Sequence, residues 1–269
     1  MLRLPAPGPV GKHAAPLGLP DARTSSSLAQ MGVRAFLQRK GRAARVRRAL
    51  WARLFEEAAL LLTAEGRARL STRLLHAGEI HQTAPFTSLD RYPDLFDLAA
   101  KLAPSATRIL SFGCSTGEEL ISLRPRFPGA EIVGAEINPR SRAIALAKVA
   151  GDPRTMVVAP QNLEGLYDLV FALSVLQRDP RGIAALVEAK HLAARYPFAR
   201  FDEGVRSLVA RLRSGGLLCV TNALYRVEDS SVAAELEPIS ESPVMDRVLL
   251  EPDGRKLDAP IARTIFRKI

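Results

Sequence analysis

Seven residues, Gly113-Cys114-Ser115-Thr116-Gly117-Glu118-Glu119, constrain this chain more than any others. An apolar run, Arg108-Ile109-Leu110-Ser111-Phe112, leads into them and reads as a strand. Leu120-Ile121-Ser122-Leu123 leads out and reads as the first turns of a helix. A glycine-cornered turn between a strand and a helix lets the backbone approach a ligand closely, because glycine carries no Cβ. The helix start adds unpaired N–H groups and a partial positive charge. Nineteen residues past Gly117 stands Glu136, closing a second apolar run, Glu131-Ile132-Val133-Gly134-Ala135. An acidic residue at about that distance is where a doubly wound α/β fold grips a ribose.

The rest of the chain repeats the alternation. Apolar, β-branched runs predict strands at 107–112, 131–136, 155–159, 168–173 and 217–222. Helical spacing predicts helices at 93–102, 117–127, 139–150, 181–194 and 202–213, the first with Pro93 in its opening turn. Pro125 is expected to shorten or kink the second of these. Gly215-Gly216 reads as a helix C-terminus entering the fifth strand. Strands that are apolar throughout, alternating with helices, imply a parallel sheet covered on both faces. The end of the chain differs. Arg247–Leu250, the turn Glu251-Pro252-Asp253-Gly254 and Ile261–Phe266 predict an antiparallel hairpin.

Charge separates the front of the chain from this core. Residues 1–80 hold 14 Lys/Arg against 5 Asp/Glu, whereas 81–269 hold 24 against 23, within a net charge of +10. Residues 1–30, rich in Pro, Gly, Ala and Ser, read as a disordered tail. Residues 31–104 read as a basic helical segment or cap. In it, Val46, Leu50, Leu54, Ala58 and Leu61 recur at helical spacing, and 34–53 carries eight Lys/Arg and no acid. That helix could meet RNA phosphates, an anionic surface or an acidic substrate, or simply be a solvated face. No apolar stretch is long enough for a membrane span, and the N-terminus lacks the apolar centre of a secretory signal. Cys114 and Cys219 make no CxxC, and His13, His76, His81 and His191 show no ligand spacing. A cytoplasmic protein with neither disulfide framework nor metal is expected.

The segments ILSFGCSTGEELISL (109–123), EIVGAEINPRSRAIALAK (131–148), YDLVFALSVLQ (167–177) and LRSGGLLCVTNALYR (212–226) together resemble the class I S-adenosylmethionine-dependent methyltransferases over about residues 105–269. The resemblance implies a Rossmann-like, doubly wound, mostly parallel sheet with a C-terminal antiparallel hairpin. It implies S-adenosyl-L-methionine as cofactor. Gly113, Cys114 and Gly117 would shape the turn around its methionine end, and Glu136 would accept from the ribose hydroxyls. Ile137 would pack on the adenine, with Asn162 and Leu163 flanking it. Phe171, Ala172 and Leu173 would lie near the transferable methyl. His81, Thr87 and Tyr92, ahead of the core, are candidates to line the substrate mouth.

Two departures narrow the resemblance. The family's acid for the cofactor amine stands two positions before the first glycine, where this chain has Ser111; its middle glycine is Ser115 here. Both changes, and the string GCSTGEE itself, resemble the chemotaxis-receptor glutamate methyltransferases, in which the acid after the last glycine can meet the amine. Glu118 is therefore the expected substitute. The Arg-Asn pair that follows the fourth strand in that branch is absent from LSVLQRDP. A dinucleotide would want Gly-x-Gly-x-x-Gly and no acids at the helix start. Glu118 and Glu119 would repel a pyrophosphate but suit a sulfonium and an amine. Methyl transfer needs alignment more than side-chain chemistry, so no catalytic base is assigned. A small-molecule acceptor is expected. The alternatives are a protein or RNA acceptor docked through the basic helix, and a cofactor binder without turnover.

Overall fold

The computed structural model describes residues 63, 67, 81, 87–177, 189–243, 248–258 and 261–269. All belong to one compact unit, Ala59–Ile269. The tail at 1–30, the basic helix expected at 34–53 and the first half of the helix expected at 181–194 lie outside the described residues.

Seven strands form the main sheet: β1 (Arg108–Phe112), β2 (Glu131–Ala135), β3 (Thr155–Val158), β4 (Tyr167–Leu173), β5 (Leu212–Thr221), β6 (Leu236–Pro243) and β9 (Ile261–Lys268). Their order is β3-β2-β1-β4-β5-β9-β6. The first five are parallel, and β9 runs antiparallel between β5 and β6. The chain winds outward from β1 to β3, then returns to place β4 on the other side of β1. That reversal makes a switch point between β1 and β4, where ligands of open α/β sheets bind outside the carboxyl ends of the strands.

Successive strand residues point to opposite faces, so each strand serves two cores. Ile109, Ile132, Phe171 and Cys219 pack with Phe96, Leu120 and Ala145, from α1 (Pro93–Leu102), α2 (Glu118–Leu123) and α3 (Pro139–Val149). Leu110, Val133, Val170 and Leu218 pack with Leu192, Phe201 and Val205, from α4 (Ala189–Arg195) and α5 (Phe198–Ala210). A strand buried on both faces has no room for alternating polarity, which is why these runs read as continuous apolar segments.

Three expectations need correction. Helix α2 ends at Leu123, two residues before Pro125, rather than at 127. Gly215-Gly216 lies inside β5. Helix α5 has already ended at Ala210, and Lys268 Nζ donates to the carbonyls of Val209 and Leu212 (2.9 and 3.1 Å) just past its end. The glycines instead serve a register shift: Tyr167 pairs with Leu212 but Leu169 pairs with Leu217, and Gly215 takes φ 78° in the bulged stretch. At the C-terminus, Leu249–Leu250 (β7) does turn through 251–254, but it pairs with Lys256–Leu257 (β8). The strand at 261–268 pairs instead with Leu236–Pro243, a strand the pattern did not announce.

Candidate functional site

The glycine turn is pinned to the end of β2. The N–H groups of Gly113 and Cys114 both donate to the Ala135 carbonyl (2.8 and 3.1 Å). One residue on, the Glu136 carboxylate accepts from the Ser115 N–H (2.9 Å) and from the Asn138 N–H (2.7 Å). Asn138 in turn caps α3, accepting from the N–H groups of Arg140 and Ser141. Glu136 thus ties the turn to the start of the next helix. Burial raises its pKa, against the N–H donors of Asn138 and Ser115 and the charge of Arg142.

Both glycines face protein on the side where a Cβ would stand. At Gly113 (φ 78°) a Cβ would lie 2.4 Å from Val175 Cγ2; at Gly117 (φ 94°) it would lie 3.1 Å from the Ala145 Cα. The first glycine therefore interlocks the turn with the exit from β4, and the second lets α2 close on α3. Ser115, between the two glycines, also takes a left-handed conformation (φ 52°). Its Oγ is buried and has no hydrogen-bond partner among the described residues. A buried hydroxyl left over in such a turn has a hydrogen bond to offer a water or a ligand.

The two acids at the start of α2 separate. Glu118 accepts from Thr116 Oγ1 (2.7 Å) and pairs with Lys148 on α3. Burial opposes its ionisation, but the hydrogen bonds from Lys148 and Thr116 outweigh it and hold the carboxyl below its ordinary range. Glu119 instead accepts from the hydroxyl of the fully buried Ser111 (2.8 Å). Burial pushes its carboxyl up to about 7, against the Ser111 hydrogen bond and the charge of Arg91. Each helical residue turns by about 100°, so neighbours face different surroundings. The sequence pointed to Glu118 as the substitute for the missing acid; the acid that reaches the Ser111 position is Glu119.

The remaining candidates fall in several places. Cys114 is buried, and burial, with Glu136 and Glu119 nearby, drives its thiol well above the ordinary value, the behaviour of a packing residue. Ile137 is half-buried at the exit from β2. Asn162 is exposed in the short 3-10 turn Pro160–Asn162, and Leu163 is buried behind it. Ala172 and Leu173 are buried on opposite faces of the sheet. His81 sets Nδ1 2.5 Å from the Tyr196 hydroxyl and meets Phe112 edge-on, which seats it toward α5. Thr87 is half-buried. Tyr92, at the N-terminus of α1, reaches Ser174 and Asn222 at the carboxyl ends of β4 and β5. Neither Ser174 nor Asn222 was singled out from the sequence. Their only signal is that each is a polar residue just past the end of a strand-like run.

Among the described residues no group of His, Cys, Asp and Glu could hold a metal, and no helix is long and apolar enough to cross a membrane.

No family model matches the chain, and no curated protein matches it. Solved structures do resemble it at a distance. S-adenosylmethionine-bound CalS10, an amino pentose methyltransferase from Micromonospora echinaspora, is 23% identical with a TM-score of 0.35, over 55% of this chain and 54% of that one. TehB from Haemophilus influenzae is 14% identical with a TM-score of 0.46, over 68% and 64%. The N-methyltransferase NodS from Bradyrhizobium japonicum is 14% identical with a TM-score of 0.42, over 67% and 99%. The match spans about half the length of the first of these.

Proposed function

We propose that the chain is an S-adenosylmethionine-dependent methyltransferase acting on a small molecule. The observation that carries this is the placement of Glu119 on Ser111, one strand away from Glu136. Two carboxyl groups stand at the carboxyl ends of adjacent strands, with the unpartnered Ser115 hydroxyl in the turn between them. These acceptors fit a ligand with a ribose at one end and a cationic amine at the other. It does not fit a pyrophosphate, which would face Glu118 and Glu119 at the helix start.

In this reading Glu136 takes the ribose hydroxyls while keeping the turn in place, and Glu119 takes the amine. Ser115 Oγ supplies a hydrogen bond, and Ile137, Asn162 and Leu163 flank the adenine. S-adenosylmethionine, when bound, supplies a methyl already activated by its positive sulfur. The chain then has to align donor and acceptor, for which positioning can provide effective molarities on the order of 10⁵ M. The GCSTGEE turn supports the receptor-branch manner of holding the amine, with Glu119 in place of Glu118. A receptor glutamate is not part of the proposal. A small acceptor is favoured by the near-neutral charge of residues 81–269, whose 24 Lys/Arg against 23 Asp/Glu offer little to a polyanion.

Calorimetry with S-adenosylhomocysteine tests the reading. Binding is expected in the wild type and strongly weakened in Glu136→Ala. A wild type that binds nothing refutes the cofactor, and an unaffected variant refutes the ribose contact.

A further inference from the structure

The carboxyl edge of the sheet has a direction. Glu136 lies past β2, the glycine turn past β1, and Phe171 to Leu173 at the end of β4. A cofactor laid along this edge runs from β3 toward β4. The next position, one strand spacing of about 5 Å further, is the end of β5. There Tyr92, Ser174 and Asn222 form a closed triangle. The Tyr92 hydroxyl lies 2.6 Å from Ser174 Oγ, and Asn222 Nδ2 lies 2.5 Å from the Tyr92 hydroxyl and 2.7 Å from Ser174 Oγ. The triangle abuts the turn, because Val175, the residue after Ser174, fills the space a Cβ would take at Gly113.

Donor accounting shows what the triangle offers. Asn222 Nδ2 has two protons and the hydroxyls have one each. Three short contacts use three protons, two from the amide and one between the hydroxyls. One hydroxyl proton is left over and must point out of the triangle. Reversing the amide would leave only two protons for three contacts, so one short pair of oxygens would have none between them. The assigned orientation is also the one in which Asn222 Oδ1 accepts from Thr221 Oγ1 (3.3 Å).

A further observation points the same way. Ser174 and Asn222 both hold φ 60°, a conformation costly for residues other than glycine. The other positive-φ residues of this kind among those described are Asp90 and Ser115, the latter in the glycine turn. A ligand group placed here meets the hydroxyl proton left over. An oxygen lone pair suits it, and an ammonium, which has only protons to offer, does not.

We infer that Tyr92, Ser174 and Asn222 anchor an oxygen of the methyl acceptor (carbonyl, carboxylate or hydroxyl) and discriminate against a protonated amine at that position. The inference rests on the methyltransferase reading. Its test uses the full-length protein saturated with S-adenosylhomocysteine and two probes of one shape, cyclohexanone and cyclohexylammonium, titrated by ligand-observed NMR. The ketone is expected to bind about tenfold more tightly, the value of one hydrogen bond gained against one denied. Asn222→Asp keeps the shape and tolerates the left-handed backbone, but its carboxylate consumes both hydroxyl protons and adds negative charge. In that variant the preference is expected to reverse toward the ammonium, with affinity for S-adenosylhomocysteine unchanged. If Asn222→Asp does not fold, Asn222→Gly, which suits φ 60°, decides: ketone binding is expected to weaken several-fold. Equal binding of the two probes, binding of neither, or a preference that survives substitution overturns the anchor. Failure to bind S-adenosylhomocysteine overturns the methyltransferase reading instead.

Discussion

The two halves of the sheet's carboxyl edge are built differently. On the β1–β2 side a carboxylate, Glu136, is held by main-chain N–H groups from two helix-opening segments. On the β4–β5 side three neutral side chains hold one another, two of them on left-handed backbone. The first arrangement is charged and fixed by local chain geometry. The second is uncharged and exists only because Tyr92 crosses 130 positions of sequence to meet Asn222. A side that holds one invariant ligand can be built from backbone. On the reading proposed above, the second side would distinguish acceptors, and side chains can be changed there without disturbing the sheet.

Removing Glu136 is the hardest blow to this contrast. Glu136→Ala strips the acceptor from Ser115 and Asn138 and the partner from a ribose. Hydrogen bonds to charged groups contribute about 1.5–3 kcal/mol each, so affinity for S-adenosylhomocysteine is expected to fall on the order of 100-fold or more by calorimetry. Because the same residue braces the turn, the melting temperature is expected to drop as well. An intact melting temperature beside lost affinity would separate the brace from the contact.

Gly113→Ala probes the seam between the two halves. The new methyl would stand 2.4 Å from Val175 Cγ2 at φ 78°. Overpacking and backbone strain together are expected to cost about 1–3 kcal/mol in chemical denaturation. Val175→Ala on that background restores part of the loss if the clash dominates. No rescue would assign the cost to the backbone.

Glu119 carries a smaller, pH-dependent effect. Its folded-state pKa of about 7 lies above the ordinary carboxylate value, so the native state binds more protons than the unfolded one between them. Its contribution to stability is therefore greatest at low pH, falls as pH rises to about 7, and is flat above. Binding has the opposite sign, since a cationic amine favours the ionised carboxylate. Affinity for S-adenosylhomocysteine is expected to rise from pH 6 to pH 8, and Glu119→Gln to flatten that rise while weakening binding about tenfold at the upper end. A profile unchanged by the substitution would remove Glu119 from the amine. The smallest effect is expected from Lys148→Ala. It breaks a half-exposed pair with Glu118 worth less than about 1 kcal/mol, with no change in cofactor affinity. A marked loss of affinity would return the amine to Glu118.

Most of the sheet is legible in the sequence, because its central strands are buried on both faces and must be apolar throughout. The segments around Ile109, Ile132 and Val170 advertise themselves for that reason. The strand at 236–243 does not. It is an edge strand containing Pro238, Glu241 and Pro243, with two register shifts against β9, and its pairing depends on partners 18 to 32 residues away. At the site, Glu136 is legible because it terminates an apolar run at a fixed distance from a glycine turn. The choice between Glu118 and Glu119 is not, since it depends on which side of a six-residue helix faces Ser111. Ser174 and Asn222 are less legible still, because each has meaning only through the other and through Tyr92.

Gly113 and Val175 share a single volume: the branched side chain occupies what the glycine leaves empty. A substitution that enlarges position 113 has to be met by a smaller residue at position 175. The first glycine of the turn thus fixes the size of the residue beside Ser174. Any redesign of Tyr92, Ser174 and Asn222 has to leave that one volume as it is.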